Sequence, residues 1–546
     1  MRGIVINSVT KEPVSRALVT TADNRYATLT NSEGRFEFTI PSAGSTSASE
    51  PDGNTPTGRM QIAISNGFYS LIARKPGYLA ESTFSEANQA EPDRDVLLKL
   101  TPEALIVGTV ALPSSEAPDS ITLQLFRSQV QDGRAHWVAA GIARSRSDGQ
   151  FRFADLPAGT YKLLTSELLD RDPSTFDPQG PLFGYPPVYY PSAPDFGSAA
   201  AIQVSAGQTA QVEISLVKQQ YYRVKIPMLN AAESEVGVLV YAHGHKGPGF
   251  SLGYNNFEHA IEGMLPNGTY AVEAASYGTR AATGIQTINV KGGPADGPAI
   301  ALVPDASIPV TVKEEFTGED RLGAMTWNVN GRNMMLRGPR RYLNVTLEPT
   351  EDFGSGHAVA LRNPTGPGDE SLVLDGARAG TYWVRVNSSR GYAASIRSGN
   401  LDLLQQPMVV NAGGASAPIE ITMRDDTAEI SGTVEGAARA ADNAGQINSA
   451  GLQYVSFARG ASAHVYCIPL ADSPGQFTEV WVNPDGSFAS PALAPGAYRL
   501  LAFDRPQQNL EYRNPEAIEA YGSQGVVVRL VAGQKEHVQL QLIQTN

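Results

Sequence analysis

The sequence predicts an all-β protein: about five tandem immunoglobulin-/prealbumin-like β-sandwich domains with Greek-key strands. Three observations carry this. A Gly-x-Tyr segment recurs at domain-sized intervals, a strand of alternating apolar residues closes each interval, and no stretch keeps a long helical period.

The recurring segment is Gly67-Phe-Tyr69, Gly159-Thr-Tyr161, Gly268-Thr-Tyr270, Gly380-Thr-Tyr382 and Gly496-Ala-Tyr498, with tyrosines 92, 109, 112 and 116 residues apart. Solenoid units repeat every ~20–50 residues, so these are beads rather than coils. Each copy opens with a short β pattern: Gly3-Ile-Val5, Gly108-Thr-Val110, Val224-Lys-Ile226, Val310-Thr-Val312 and Gly432-Thr-Val434. Each closes with period-two apolar residues: Val96/Leu98/Leu100, Val212/Ile214/Leu216, Ile300/Leu302, Ile419/Ile421/Met423 and Val538/Leu540/Leu542. That period buries one face of a strand. Three copies also carry an acidic-Gly-x-Phe turn, at Glu33–Phe36, Asp148–Phe151 and Asp485–Phe488. Glycine supplies the positive φ of a tight hairpin there, and phenylalanine starts the next core-facing strand. The third and fourth copies lack the turn and are degenerate. Domain joints then fall at 1–101, 102–218, 219–304, 305–425 and 426–546, with linkers of only a few residues. Two inserts stand out: Ser42–Gly58, which reads as a mobile loop, and the Pro- and aromatic-rich Asp170–Gly197, which suits an ordered one.

These motifs resemble the carboxypeptidase regulatory-like domains. Gly-x-Val, Ser147-Asp-Gly-Gln-Phe151, Leu156-Pro-Ala-Gly-Thr-Tyr161 and the alternating closing strand carry the resemblance, best in the first, second and fifth copies. The Tyr-Tyr-Pro191 insert and the tail Leu510–Tyr521 resemble multi-repeat bacterial versions, notably from Acidobacteria. The resemblance implies a transthyretin-like sandwich of seven or so strands, used as an accessory or structural module in exported or cell-surface proteins. It transfers no catalytic residues. Related sandwiches are grouped with carbohydrate-binding folds, which is analogy at the level of fold.

Composition narrows the function classes. A length of 546 residues exceeds what one hydrophobic core supports. A formal net charge of -13 argues against a nucleic-acid or anionic-membrane surface as main partner. No apolar run approaches the ~18–20 residues of a membrane span. The single cysteine, Cys467, sits in a strand pattern and reads as a small apolar core residue. The N-terminus enters a strand directly, so an exported protein needs a leader upstream of this numbering.

Candidate sites are few. His243-Gly-His245, with Glu258, His259 and Glu262 nearby, is a conceivable metal group, but its glycines favour a solvated turn. Asn483-Pro-Asp485-Gly is too short for a calcium loop and reads as a plain hairpin. The repeated tyrosine resembles a tyrosine corner, its ring in the core and its hydroxyl on backbone. Arg332, Arg337, Arg340 and Arg341 form either a site for an acidic partner or a solvated face. The best candidate ligand-binding residues are Phe183, Tyr185, Tyr189 and Tyr190, whose rings suit sugar or proline-rich peptide. The competing reading is that they fold back over the second domain or pack on the third. No catalytic, metal or cofactor set is expected. The sequence thus predicts a non-enzymatic structural, scaffolding or adhesion protein of the cell envelope or exterior, meeting a protein partner or glycan; oligomeric state stays open. A carbohydrate-binding protein is the second reading, and a hydrolase with a site between domains the third.

Overall fold

The computed structural model describes residues 2–21, 24–38, 69–79, 89–90, 96–113, 120–171, 180–229, 235–278, 281–320, 323, 326–329, 332–366, 369–413, 416–437, 463–471, 473–490 and 492–545. The expected loop Ser42–Gly58 lies outside these residues, as do 172–179 of the second insert. Strand makes up 57% of the described residues and helix 2%, so the fold is all-β, built from sandwiched sheets. The helical remainder is one turn at Pro515–Glu519, capped by the Asn514 side chain, and a 3-10 turn at Gly338–Arg341.

Buried apolar side chains gather in five large clusters, called here the first to fifth cores. They span Val5–Leu100, Ala104–Leu216, Val224–Leu302, Ala306–Met423 and Ala428–Leu540. Every core has the same frame: its opening strand lies parallel to its closing strand. Arg2–Asn7 pairs with Val96–Pro102, Ala104–Ala111 with Thr209–Ser215, Ala306–Glu315 with Ile419–Arg424, and Glu429–Glu435 with Lys535–Ile543. In the third core, Gln219–Leu229 meets two short pieces, Ala295–Asp296 and Ile300–Ala301. Parallel terminal strands put entry and exit at opposite ends of a sandwich, so the chain moves forward at each copy.

The opening glycine has a packing reason. Gly108 lies between Phe151 on one neighbouring strand and Val212 on the other. A Cβ there would sit 2.3 Å from the Val212 carbonyl oxygen and 2.7 Å from the Phe151 ring. Gly3 and Gly432 stand in the same relation to Phe36 and Val96, and to Phe488 and Val538. The phenylalanine of the acidic-Gly turn therefore lies across the bare backbone of the opening strand, which couples two motifs 33, 43 and 56 residues apart in the three copies. Gly149 in that turn has φ 79°, which glycine adopts without strain. The degenerate third and fourth copies have Val224 and Val310 in their opening strands, facing Gly263 and Leu372.

The corner tyrosines behave as the sequence predicts in three copies. Tyr161, Tyr270 and Tyr498 are buried and donate to the backbone carbonyl four residues earlier: Pro157 at 2.6 Å, Pro266 at 3.1 Å and Ala494 at 2.7 Å. Tyr382 is equally buried, but its hydroxyl completes no hydrogen bond among the described residues. Cys467 is fully buried in the fifth core, where burial pushes its thiol up to about 12. No helix among the described residues is long and apolar enough to cross a membrane.

Candidate functional site

The aromatic insert of the second core is woven into the joint with the third. Leu182–Tyr185 is a strand that pairs with Gln219–Leu229, the opening strand of the third core. Tyr185 joins the second hydrophobic core, and Tyr190 packs half-buried against it. Tyr189 is buried and donates to the Pro248 carbonyl at 2.6 Å. Phe183 is half-buried. The structure thus divides these rings: Tyr185 and Tyr190 lie on the second core, while Tyr189 sits in a separate cluster with Phe126, Leu164 and Phe196. Beside them, Glu167 is held well above the usual carboxylate range, at about 7, because burial disfavours its charge; the Tyr221 hydroxyl partly offsets this. Glu167 Oε1 and the Tyr221 hydroxyl are both buried, yet neither meets hydrogen-bond geometry.

The other sequence candidates are dispersed. His243 and Gly244 have positive φ and, with His245, form an exposed turn. Glu258 and Glu262 are engaged by Lys225 instead, Glu262 at 3.3 Å. Among the described residues no group of three His, Cys, Asp or Glu is placed to hold a metal ion. Asp485 binds the Ser487 hydroxyl at 2.6 Å and its N–H at 2.9 Å, closing the hairpin turn. Arg340 donates to the Arg362 carbonyl at 2.8 Å and also to that of Ser371, while Arg341 pairs with Asp320 at 2.7 Å. Those two arginines thus serve their own core.

A bead string with contacts only between sequence neighbours is not what the molecule adopts. The hairpin of Thr122–Gln131 and Arg134–Arg144 turns through Asp132-Gly133, with φ of 48° and 71°, as in a type I′ turn. Its tip projects from the second core into the fourth and fifth. The Asp132 carboxylate, with a side chain 7% exposed, accepts from Arg385 at 3.0 Å and from the Tyr512 hydroxyl at 2.7 Å, and lies 3.2 Å from Arg513. The Arg513 Nε also donates to the Asp132 carbonyl at 3.0 Å. Arg385 in turn binds Glu348 at 2.7 Å, and Arg134 stacks 3.7 Å from the centre of the Trp383 ring. Burial, together with repulsion by Arg513, lowers the Arg134 guanidinium to about 10, against the pull of Asp132. Tyr512 lies flat on Phe477, ring centres 3.9 Å apart.

A second hub is the loop Glu351–Ser355 of the fourth core. Asp352 accepts from the Trp137 N–H at 2.8 Å and pairs with His136 at 2.6 Å. Phe353 enters an aromatic group with Phe126 and Phe196 of the second core, at 5.5 and 4.7 Å. Glu351 pairs with Lys246 of the third core at 2.5 Å, and Ser355 donates to the buried Glu273. Nearby, Arg378 is 4% exposed, donates to the Ser355 carbonyl at 2.6 Å and lies 3.4 Å from Asp305. Sequence reasoning missed both hubs. Asp132-Gly133 is a hairpin signal, and Phe353 is a lone aromatic in a polar loop, but neither pattern names its distant partners.

No family model matches this chain, and neither does any curated protein. Solved structures align at low identity. The Bacillus anthracis TIE protein is 10% identical with a TM-score of 0.15, over 65% of this chain and 57% of that one; the chain thus spans less than two thirds of that protein. GBS52, a minor pilin of Streptococcus agalactiae, is 13% identical over 39% of this chain and 94% of that one, with a TM-score of 0.17. A streptococcal ancillary pilin is 9% identical over 59% and 99%, with a TM-score of 0.19. At these scores the superpositions carry no argument about function.

Proposed function

We propose that the protein is a non-enzymatic structural, scaffolding or adhesion protein of the cell envelope or exterior, built from five domains of the carboxypeptidase regulatory-like type with joints near 101, 218, 304 and 425. The observation that carries this reading is the Asp132 tip locked between the fourth and fifth cores. Ionic and aromatic side chains hold the second, fourth and fifth cores to one another. A protein so braced transmits position and load from one end to the other, which is the work of a spacer or scaffold. It meets other proteins through strand edges and loops.

Two measurements test the reading. Small-angle scattering should fit one rigid arrangement in which the second, fourth and fifth cores touch; a profile that needs independently moving beads removes the bracing. A glycan array should be flat. A specific glycan hit that disappears on changing Tyr189 and Tyr190 to Ala would replace scaffolding with carbohydrate binding.

A further inference from the structure

Beside the Asp132 lock, a cavity of about 500 Å³ opens between the fourth and fifth cores. Three guanidinium groups line it, those of Arg134, Arg499 and Arg513, and one carboxylate, that of Glu519. Asp132 stands behind this wall, shared by Arg134 at 3.6 Å, Arg385, Arg513 and Tyr512. The positive charge facing the cavity is thus only partly matched.

Two observations locate the deficit. Arg134 is half withdrawn from water with Arg513 beside it, and this pair lowers its affinity for a proton. Arg499 uses Nη1 on the Ile518 carbonyl at 3.1 Å, while its Nε is buried without a hydrogen-bond partner among the described residues. A buried guanidinium N–H without an acceptor has lost its water and gained nothing in exchange, which a bound anion relieves. Part of the lining is apolar, with Leu404, Leu470 and the buried Ile468 and Ile518, beside the polar Gln405, Ser473 and Tyr512. A cavity of this size takes a ligand larger than a bare inorganic ion.

We infer that this cavity binds a carboxylate carried on an apolar body, as at the free C-terminus of a peptide ending in an aliphatic residue. Guanidinium forks match a carboxylate with two parallel N–H···O bonds, and the Ile518 side takes the terminal side chain. The inference does not depend on the scaffold reading, because occupancy of the cavity can be measured whatever the assembly does.

The probe is N-acetyl-Ala-Leu with a free carboxylate, titrated calorimetrically into the whole protein, against the same dipeptide as its C-terminal amide and against inorganic phosphate. Binding of the acid is expected below about 1 mM, with amide and phosphate at least ~10-fold weaker. R499Q should weaken the acid ~10-fold while the protein still unfolds in one cooperative transition, lowered only by loss of the bond to the Ile518 carbonyl. A471W, at the exposed rim, should block binding without touching any arginine. Equal binding of acid and amide, equal binding of phosphate, indifference to R499Q and A471W, or no binding at all each overturns the assignment.

Discussion

The second core meets the third through rings and a shared strand, meets the fifth through charge, and meets the fourth through both charge and the Phe353 ring. At the first joint, Leu182–Tyr185 extends the neighbour's sheet and Tyr189 is buried against it. At the second, one carboxylate collects Arg385, Arg513 and Tyr512 from partners far along the chain. Apolar burial is non-directional and indifferent to salt, so it suits neighbours that the chain already holds together. Directional charge pairs select one arrangement among many and weaken as ionic strength rises, so they suit a contact that must find its register.

The largest effect should come from the apolar joint. Y189A removes a buried ring and is expected to destabilise the second and third cores by about 3–5 kcal/mol in denaturant unfolding, with little dependence on salt. A loss below ~1 kcal/mol would mean the ring is not what closes the joint. Next, D132A leaves Arg134, Arg385 and Arg513 facing one another. Discounted because Arg385 and Arg513 are about a third exposed, the cost is roughly 2–3 kcal/mol. Scattering should then show the second core parting from the fifth, an effect that high salt reproduces in the native protein. If D132A leaves the profile unchanged, the aromatic contacts of Phe353 hold the cores without it.

Third comes pH, which separates the two joints again. Glu167 has a folded-state pKa of about 7 against 4.5 when unfolded. Between those values the native state keeps a proton that the unfolded chain has lost. Its contribution is therefore complete below about pH 4.5 and is lost as pH rises through 7, by about 3 kcal/mol in all. E167Q should flatten that slope, as read from melting curves at pH 5 and 8; a slope that persists belongs to another group. The smallest effect lies inside one core. Y161F removes the 2.6 Å hydrogen bond to Pro157 and should cost about 0.5–1.5 kcal/mol. No loss of stability there would undo the corner assignment.

What was legible in the sequence is what repeats locally. Gly-x-Val, acidic-Gly-x-Phe and Gly-x-Tyr each mark a backbone constraint, and Gly108 with Phe151 shows the constraint in three dimensions. Packing on the third domain was one of the readings the sequence allowed for the aromatic insert, and residues 180–197 of it are described in that place. The lock was not legible, because Asp132 lies 253 residues from Arg385 and 380 from Tyr512. A single carboxylate in a common turn carries no pattern that names partners at such distances. The arginine cavity is hidden for the same reason: Arg134 comes from the second core's hairpin, while Arg499 and Arg513 follow the fifth copy's tyrosine.

The parallel pairing of first and last strands also fixes how a sandwich answers force. A pull on the two ends of the second core loads Ala104–Ala111 against Thr209–Ser215 along their length, across seven register pairs at once. Those pairs must shear together rather than peel one by one, so rupture demands a high activation barrier and resistance is set by the unfolding rate. The fifth core repeats the arrangement between Glu429–Glu435 and Lys535–Ile543. Stretched from its termini, such a sandwich is a clamp before it is a spring.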